Sequence, residues 1–319
     1  MVNEAWYDHF LDVLSERYPK KSELMQDLMD LLNIEREATY RRLRKDVIFP
    51  MHEIVKIASA WNISLDEIIG VKSQNVLFQM QPMNYLEPSK EDMDFVRKRV
   101  RVLEQLRNSS GSEYIVVSNN LSRSLSAGFE ALYRFNIFKW SYEYCNNCNK
   151  TYASIHIPEE LRKEVDKYYQ YMRYMTNTSY VFDNMLFDNL IREIQFFHSI
   201  FLITNEEKEL IKKELYKLLD YLLEVANMGC FPETRNKVQI YISMLSINTN
   251  YSYFHNGKIG TCRIHACNLY DLITTNPEMI ENFKIWMQKK KRTSIQISEV
   301  DERTRIEFFT RHRQLVDSL

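Results

Sequence analysis

Glycine and proline are scarce in this chain: six of one and seven of the other among 319 residues, about 4% together where about 12% is usual. The shortage excludes collagen-like and disordered chains and the hairpin-dense β architectures, all of which consume turn residues. Helices need few, so a mostly helical chain is expected. The glycines are Gly70, Gly111, Gly128, Gly229, Gly257 and Gly260. No two of them stand at the spacing of the dinucleotide, P-loop or nucleophile-elbow motifs. Enzymes built on those motifs are not expected. No other catalytic constellation stands out, so the chain is read as no enzyme and no cofactor is implied.

Long apolar runs are missing too. The longest, 196–203, is interrupted by His198 and Ser199 and falls far short of the roughly 20 residues of a membrane span. Residues 1–10 carry Glu4 and Asp8 where a signal peptide carries basic residues. Cysteine is sparse, five in all, and the odd count fits reduced thiols better than a disulfide framework. A cytoplasmic protein without membrane association is the expectation. Net charge is −1, so any attraction to nucleic acid has to be local.

What is present, 45% hydrophobic and 27% charged residues, is ordinary for a globular chain, and the length suits about two domains. Residues 1–72 read as short helices. Trp6, Phe10, Val13 and Leu14 recur at helical spacing, as do Leu24, Leu28, Leu31 and Leu32 beyond Pro19. Asn33 allows a tight turn, because Asn tolerates left-handed backbone, and a third helix covers about 35–45. Pro50 opens a fourth with Ile54, Val55, Ala58 and Trp61 inward, and Ser64 and Glu67 form a capping box for a short fifth that Gly70 ends. Residues 73–88, with Pro82 and Pro88, read as a linker.

The larger part, 89–319, begins with a Ser89-capped helix whose Met93, Val96, Val100 and Leu103 follow a 3-4-3 spacing. That stripe fits a dimerisation seam between two copies or a helix buried in its own domain. Strands are expected at 114–118, 238–244 and 294–298, with a hairpin turn at Asn256-Gly257. Helices are expected at 159–174, 183–201 and 277–291. A long one runs from a Thr204/Glu207 capping box to Gly229 with Leu210, Ile211, Leu215, Leu218, Leu219 and Leu222 facing a core. The expected fold class is mainly α: an N-terminal five-helix domain followed by a larger α+β domain with a small antiparallel sheet.

The third helix carries the sharpest functional signal. At 100° per residue Arg36, Tyr40 and Arg44 fall on one line with Glu37 and Arg41 beside them, an outward arc of roughly 140°. From 36 to 45 there are five Lys or Arg (Arg36, Arg41, Arg42, Arg44, Lys45) and one acid, Glu37, whereas 1–72 as a whole is net −3. Positive charge is therefore concentrated on one helix. Groove insertion needs this, with Arg forks for guanine edges and flanking cations for phosphates. Arg42 falls on the inward arc, where its stem packs while the guanidinium reaches an acid.

Three stretches, 28–35, 38–44 and 57–70, read Leu-Met-Asp-Leu-Leu-Asn-Ile-Glu, Ala-Thr-Tyr-Arg-Arg-Leu-Arg and Ile-Ala-Ser-Ala-Trp-Asn-Ile-Ser-Leu-Asp-Glu-Ile-Ile-Gly. Together they resemble the Xre or lambda-repressor type of helix-turn-helix regulator, over about 70 residues. The resemblance implies a five-helix domain whose third helix enters the major groove of double-stranded DNA. It makes Arg36, Glu37, Tyr40, Arg41 and Arg44, with Lys45 beside them, the candidate DNA contacts.

Other constellations are weaker. Cys145 and Cys148 form a C-x-x-C pair, and Cys262, His265 and Cys267 lie far along the chain. Cys262 and Cys267 project to opposite faces of an expected strand, so no metal site is expected. The aromatic runs Phe135, Phe138, Trp140, Tyr142 and Tyr168, Tyr169, Tyr171, Tyr174 read as core before ligand pocket. The cations at 289–292 complement a helix C-terminus. The resulting expectation is a cytoplasmic bacterial transcription regulator, a homodimer, with 1–72 binding DNA. The region 89–319 then serves dimerisation or sensing of an unidentified small-molecule or protein effector. The alternatives are an enzyme or ligand-processing domain tethered to a DNA-binding module, and a protein-interaction scaffold with a degenerate helix-turn-helix.

Overall fold

A computed structural model describes residues 5–18, 20–61, 63–65, 68, 76–108, 111–144, 151–266 and 270–319. The chain divides into two compact units, Met1–Asn75 and Val76–Leu319.

The first unit contains α1 (Ala5–Glu16), α2 (Lys21–Leu32), α3 (Arg36–Leu43) and α4 (Met51–Trp61). Apolar residues at helical spacing close its core: Phe10 and Leu14 of α1, Leu24 and Leu28 of α2, Ile54 and Ile57 of α4, with Phe49 between helices. Val55, expected inward, is exposed instead. Asn33 ends α2 in the left-handed region (φ 54°) and its N–H returns to the Met29 carbonyl, so the turn into α3 is tight. The fifth helix expected at 64–70 falls mostly outside the described residues, Glu67 and Gly70 among them. Ile68 is described and joins the core.

The second unit is built on one sheet. Its strands are β1 (Gln79–Met80), β2 (Glu113–Ser118), β3 (Asn177–Asp183), β4 (Lys237–Ser243), β5 (Tyr251–His255), β6 (Gly260–Ala266), β7 (Tyr270–Thr274) and β8 (Ser294–Gln296), in the spatial order β1-β7-β6-β5-β2-β3-β4-β8. The expected small antiparallel sheet is thus corrected to an eight-stranded mixed one, and the class to mixed α+β. The reason lies in the connections. Between β2 and β3 run α5's successors α6 (Arg123–Ser126), α7 (Glu130–Tyr144) and α8 (Glu159–Met172), α5 itself (Lys90–Glu104) preceding β2. Between β3 and β4 run α9 (Asp188–Ser199) and α10 (Asn205–Met228). Such long helical crossovers let β2, β3 and β4 pair in parallel, while β5, β6 and β7, separated by only a few residues of sequence, pair antiparallel.

Alternation along the central strands divides the apolar side chains between two faces. Tyr114, Val116, Tyr180, Phe182, Ile240 and Ile242 meet a helical layer in which α5, α7, α9, α10 and α12 (Glu302–Asp317) take part. Ile115, Val117, Val181 and Tyr241 meet the single helix α11 (Pro277–Arg292) through Met287. Residues 76–88, expected as linker, lie in this unit: Gln79 and Met80 pair with β7, and Met83 and Tyr85 are buried. Met93, Val100 and Leu103 are buried in the unit's own core and Val96 packs against it. A seam between two copies needs these side chains on the surface, so the expected dimerisation stripe is spent on intramolecular packing. Among the described residues no helix is long and apolar enough to cross a membrane.

Candidate functional site

In the first unit, α3 presents two contrasting faces. Arg36, Glu37, Tyr40, Arg41 and Arg44 are exposed, Tyr40 by 43%, while Thr39 is fully buried. Among the described residues none of Arg36, Arg41 and Arg44 is in an ion pair; Arg44 lies 5.4 Å over the Tyr40 ring. Lys45 sits apart from them. It lies beyond the end of α3 in the left-handed region (φ 69°) and is ion-paired with Asp8 at 2.6 Å.

The inner face is held by a polar clamp. Arg42 Nε donates to Glu53 Oε2 at 2.7 Å and Nη2 to Oε1 at 2.9 Å, while Nη1 donates to the Ala38 carbonyl at 3.1 Å. The two side chains are 15% and 7% exposed. The acid that the inward Arg42 needs is therefore Glu53 of α4, a residue that sequence spacing alone did not single out. Arg42 also stacks 5.7 Å over Phe49, and its carbonyl accepts from the Tyr7 hydroxyl at 3.2 Å. The clamp fixes the rotation of α3, and so decides which side chains point out.

The second unit contains a partly open cavity of about 210 Å³. Arg99 comes from α5, Arg123 from α6, Arg263 and His265 from β6, Asp271 from β7 and Tyr168 from α8. Antiparallel pairing sets His265 opposite Asp271, and the imidazole Nδ1 lies 3.1 Å from Asp271 Oδ1. Arg123 pairs with the other oxygen of the same carboxylate. Burial alone raises the Asp271 carboxyl, but Arg123, the His265 hydrogen bond, Arg263 and Arg99 outweigh it and hold it well below the usual carboxylate range. Burial, reinforced by Arg263 and Arg123, lowers the Arg99 guanidinium to about 10, which leaves it charged at neutral pH. The Arg263 Nε is buried with no hydrogen-bond partner among the described residues.

Of these cavity residues only Tyr168, within an aromatic run, and His265, within the cysteine and histidine constellation, were named from the sequence. The rest of that reading divides. Phe135, Phe138, Trp140 and Tyr171 are core, as expected, while Tyr169 lies against the buried Arg173 guanidinium, 3.9 Å from it. Of the cysteine constellation, Cys145, Cys148 and Cys267 lie outside the described residues. Cys262 is buried against α11, and burial pushes its thiol up to about 12. Its strand neighbour His265 is engaged by Asp271 in the cavity. Of the cations at 289–292, Lys291 reaches back to the sheet, donating to Ser179 Oγ at 2.9 Å and Gln239 Oε1 at 3.1 Å.

Compared with known protein families, curated proteins and solved structures, the chain gives no match.

Proposed function

We propose that the chain is a DNA-binding transcription regulator that reads double-stranded DNA through α3, with the second unit supplying the regulatory input. The observation that carries the reading is the asymmetry of α3: Arg36, Arg41 and Arg44 are exposed and unpaired among the described residues, while Arg42 is turned inward and clamped by Glu53. An eight-residue helix is about 12 Å long, and the major groove is about 12 Å wide. Cations displayed without ion-pair partners are available to phosphates and guanine edges. The tight Asn33 turn between α2 and α3 and the likeness of 28–70 to Xre-type regulators point the same way.

The experiment is selection of duplexes from a random-sequence pool by the full-length chain. A shared short sequence, bound less tightly as salt rises, is the expected result. Failure to retain any duplex at about 50 mM salt, where phosphate contacts are strongest, overturns the reading.

A further inference from the structure

The cavity of the second unit carries an excess of positive charge. Three guanidiniums, those of Arg99, Arg123 and Arg263, share it with one carboxylate, Asp271. Other charged groups along the wall are neutralised by one another: Lys139 pairs with Glu193 at 2.6 Å, and Glu164 with Lys167 at 2.6 Å. Asp271 answers Arg123 directly and accepts from His265 as well. Among the described residues, two guanidinium charges, those of Arg99 and Arg263, are left without a carboxylate of their own.

Half-buried cations without a carboxylate partner attract an anion, and the orphaned, buried Arg263 Nε adds an unmet donor. An anion in the cavity relieves both at once. Guanidinium forks match carboxylate and phosphate oxygens alike. The charge count separates the two, since a phosphate monoester carries nearly two negative charges at pH 7 and a carboxylate one. The remainder of the wall mixes aliphatic and neutral polar side chains with aromatic ones, Tyr85, Phe95 and Tyr168 among them, and Arg99 lies 5.4 Å over the Phe95 ring. A cavity of about 210 Å³ has room for a phosphate carrying one small ring.

We propose that this cavity binds a small phosphate monoester, its phosphate held by Arg99, Arg123 and Arg263 and its apolar or aromatic body packed among Tyr85, Phe95 and Tyr168. Asp271 and His265 act as positioning residues: the carboxylate anchors Arg123, and the imidazole anchors the carboxylate.

The test is calorimetric titration of the full-length, DNA-free chain, shown free of adducts by native mass spectrometry, with phenyl phosphate, benzoate and inorganic phosphate. Phenyl phosphate is expected to bind once per chain, at least about tenfold more tightly than either of the others. Arg99→Met and Arg263→Met are each expected to weaken it by about tenfold or more. Both variants remove a half-buried cation that lacks a carboxylate partner among the described residues, so an unchanged or higher unfolding midpoint shows that they remain folded. No saturable heat up to about 10 mM, benzoate binding as tightly as phenyl phosphate, or unaltered binding in folded Arg263→Met overturns the proposal. Because DNA is absent throughout, the outcome is independent of the role assigned to α3.

Discussion

Replacing Glu53 by Leu removes the only carboxylate that Arg42 meets among the described residues, and the consequence can be sized. The guanidinium keeps the Ala38 carbonyl and the Phe49 ring but loses two charge-assisted hydrogen bonds of 2.7 and 2.9 Å. Breaking a buried pair from one side costs about 3–5 kcal/mol. Arg42 is 15% exposed and retains some water, which places the expected loss near the lower end, about 3 kcal/mol. A unit the size of residues 1–75 has about 7 kcal/mol in all at ~0.1 kcal/mol per residue. Nearly half its stability is therefore at stake. The remaining ~4 kcal/mol still leaves about 99.9% of chains folded at 25 °C.

Hydrogen exchange of peptides covering α3 and α4 reads the opening free energy of this unit within the full chain. Adding Arg42→Met to Glu53→Leu removes the orphaned charge and is expected to restore about 2 kcal/mol of the loss. Protection within ~1 kcal/mol of the parent in the single variant, or a double variant no better than the single, refutes the claim that this clamp holds α3.

Three further outcomes are expected. His312 is buried among Phe187 and Phe308, and burial, with Arg311 beside it, lowers its imidazole to about 3. The unfolded chain takes up this proton near pH 6.5 and the folded chain only near 3. Stability is therefore full above 6.5 and falls by about 1.4 kcal/mol per pH unit below it, about 2 kcal/mol by pH 5. The unfolding midpoint of His312→Leu should lack that share of the decline between pH 7 and 5. Gly229→Ala puts a Cβ on a left-handed residue (φ 64°) and into the Glu299 side chain; loss of about 1–2 kcal/mol is expected in urea unfolding. Lys45→Ala, which removes a cation held by Asp8, should weaken DNA binding by less than Arg41→Ala does in the same fluorescence-anisotropy assay.

Features governed by neighbouring residues were legible in the sequence. Thr204 and Glu207 do cap α10 reciprocally, and Gly229 does end it in the left-handed region, because capping is a contact between a side chain and backbone three residues away. The left-handed Asn33 follows from the same locality. Leu210, assigned to the core on spacing, is 47% exposed, because at 100° per residue it falls outside the arc of the buried Ile211, Leu215, Leu218 and Leu222. Strand β3 escaped notice because it opens with Asn177, Thr178 and Ser179 and is then buried on both faces, so it shows no alternation. Without β3 the parallel centre of the sheet could not be inferred.

The cavity was hidden for a related reason. Arg99 looks in sequence like one of several cations flanking the Met93 stripe, and Arg263 like an ordinary strand residue. Only pairing of β6 with β7, and packing of α5, brings them to Asp271. On α3, by contrast, 100° periodicity placed the exposed residues correctly, since an eight-residue helix has no room to drift.

The most direct test of the account compares the full-length chain with its Arg36→Ala, Arg41→Ala, Arg44→Ala triple variant on a mixed-sequence duplex over a range of salt concentrations. All three side chains are exposed and lack ion-pair partners among the described residues, so hydrogen exchange should show the first unit equally folded in both proteins. If these cations meet phosphates or bases, the variant should bind at least about 100-fold more weakly near 0.1 M salt, with the slope of log K against log salt flattened by about 2. Equal affinity and equal slope in the two folded proteins contradict DNA reading by α3.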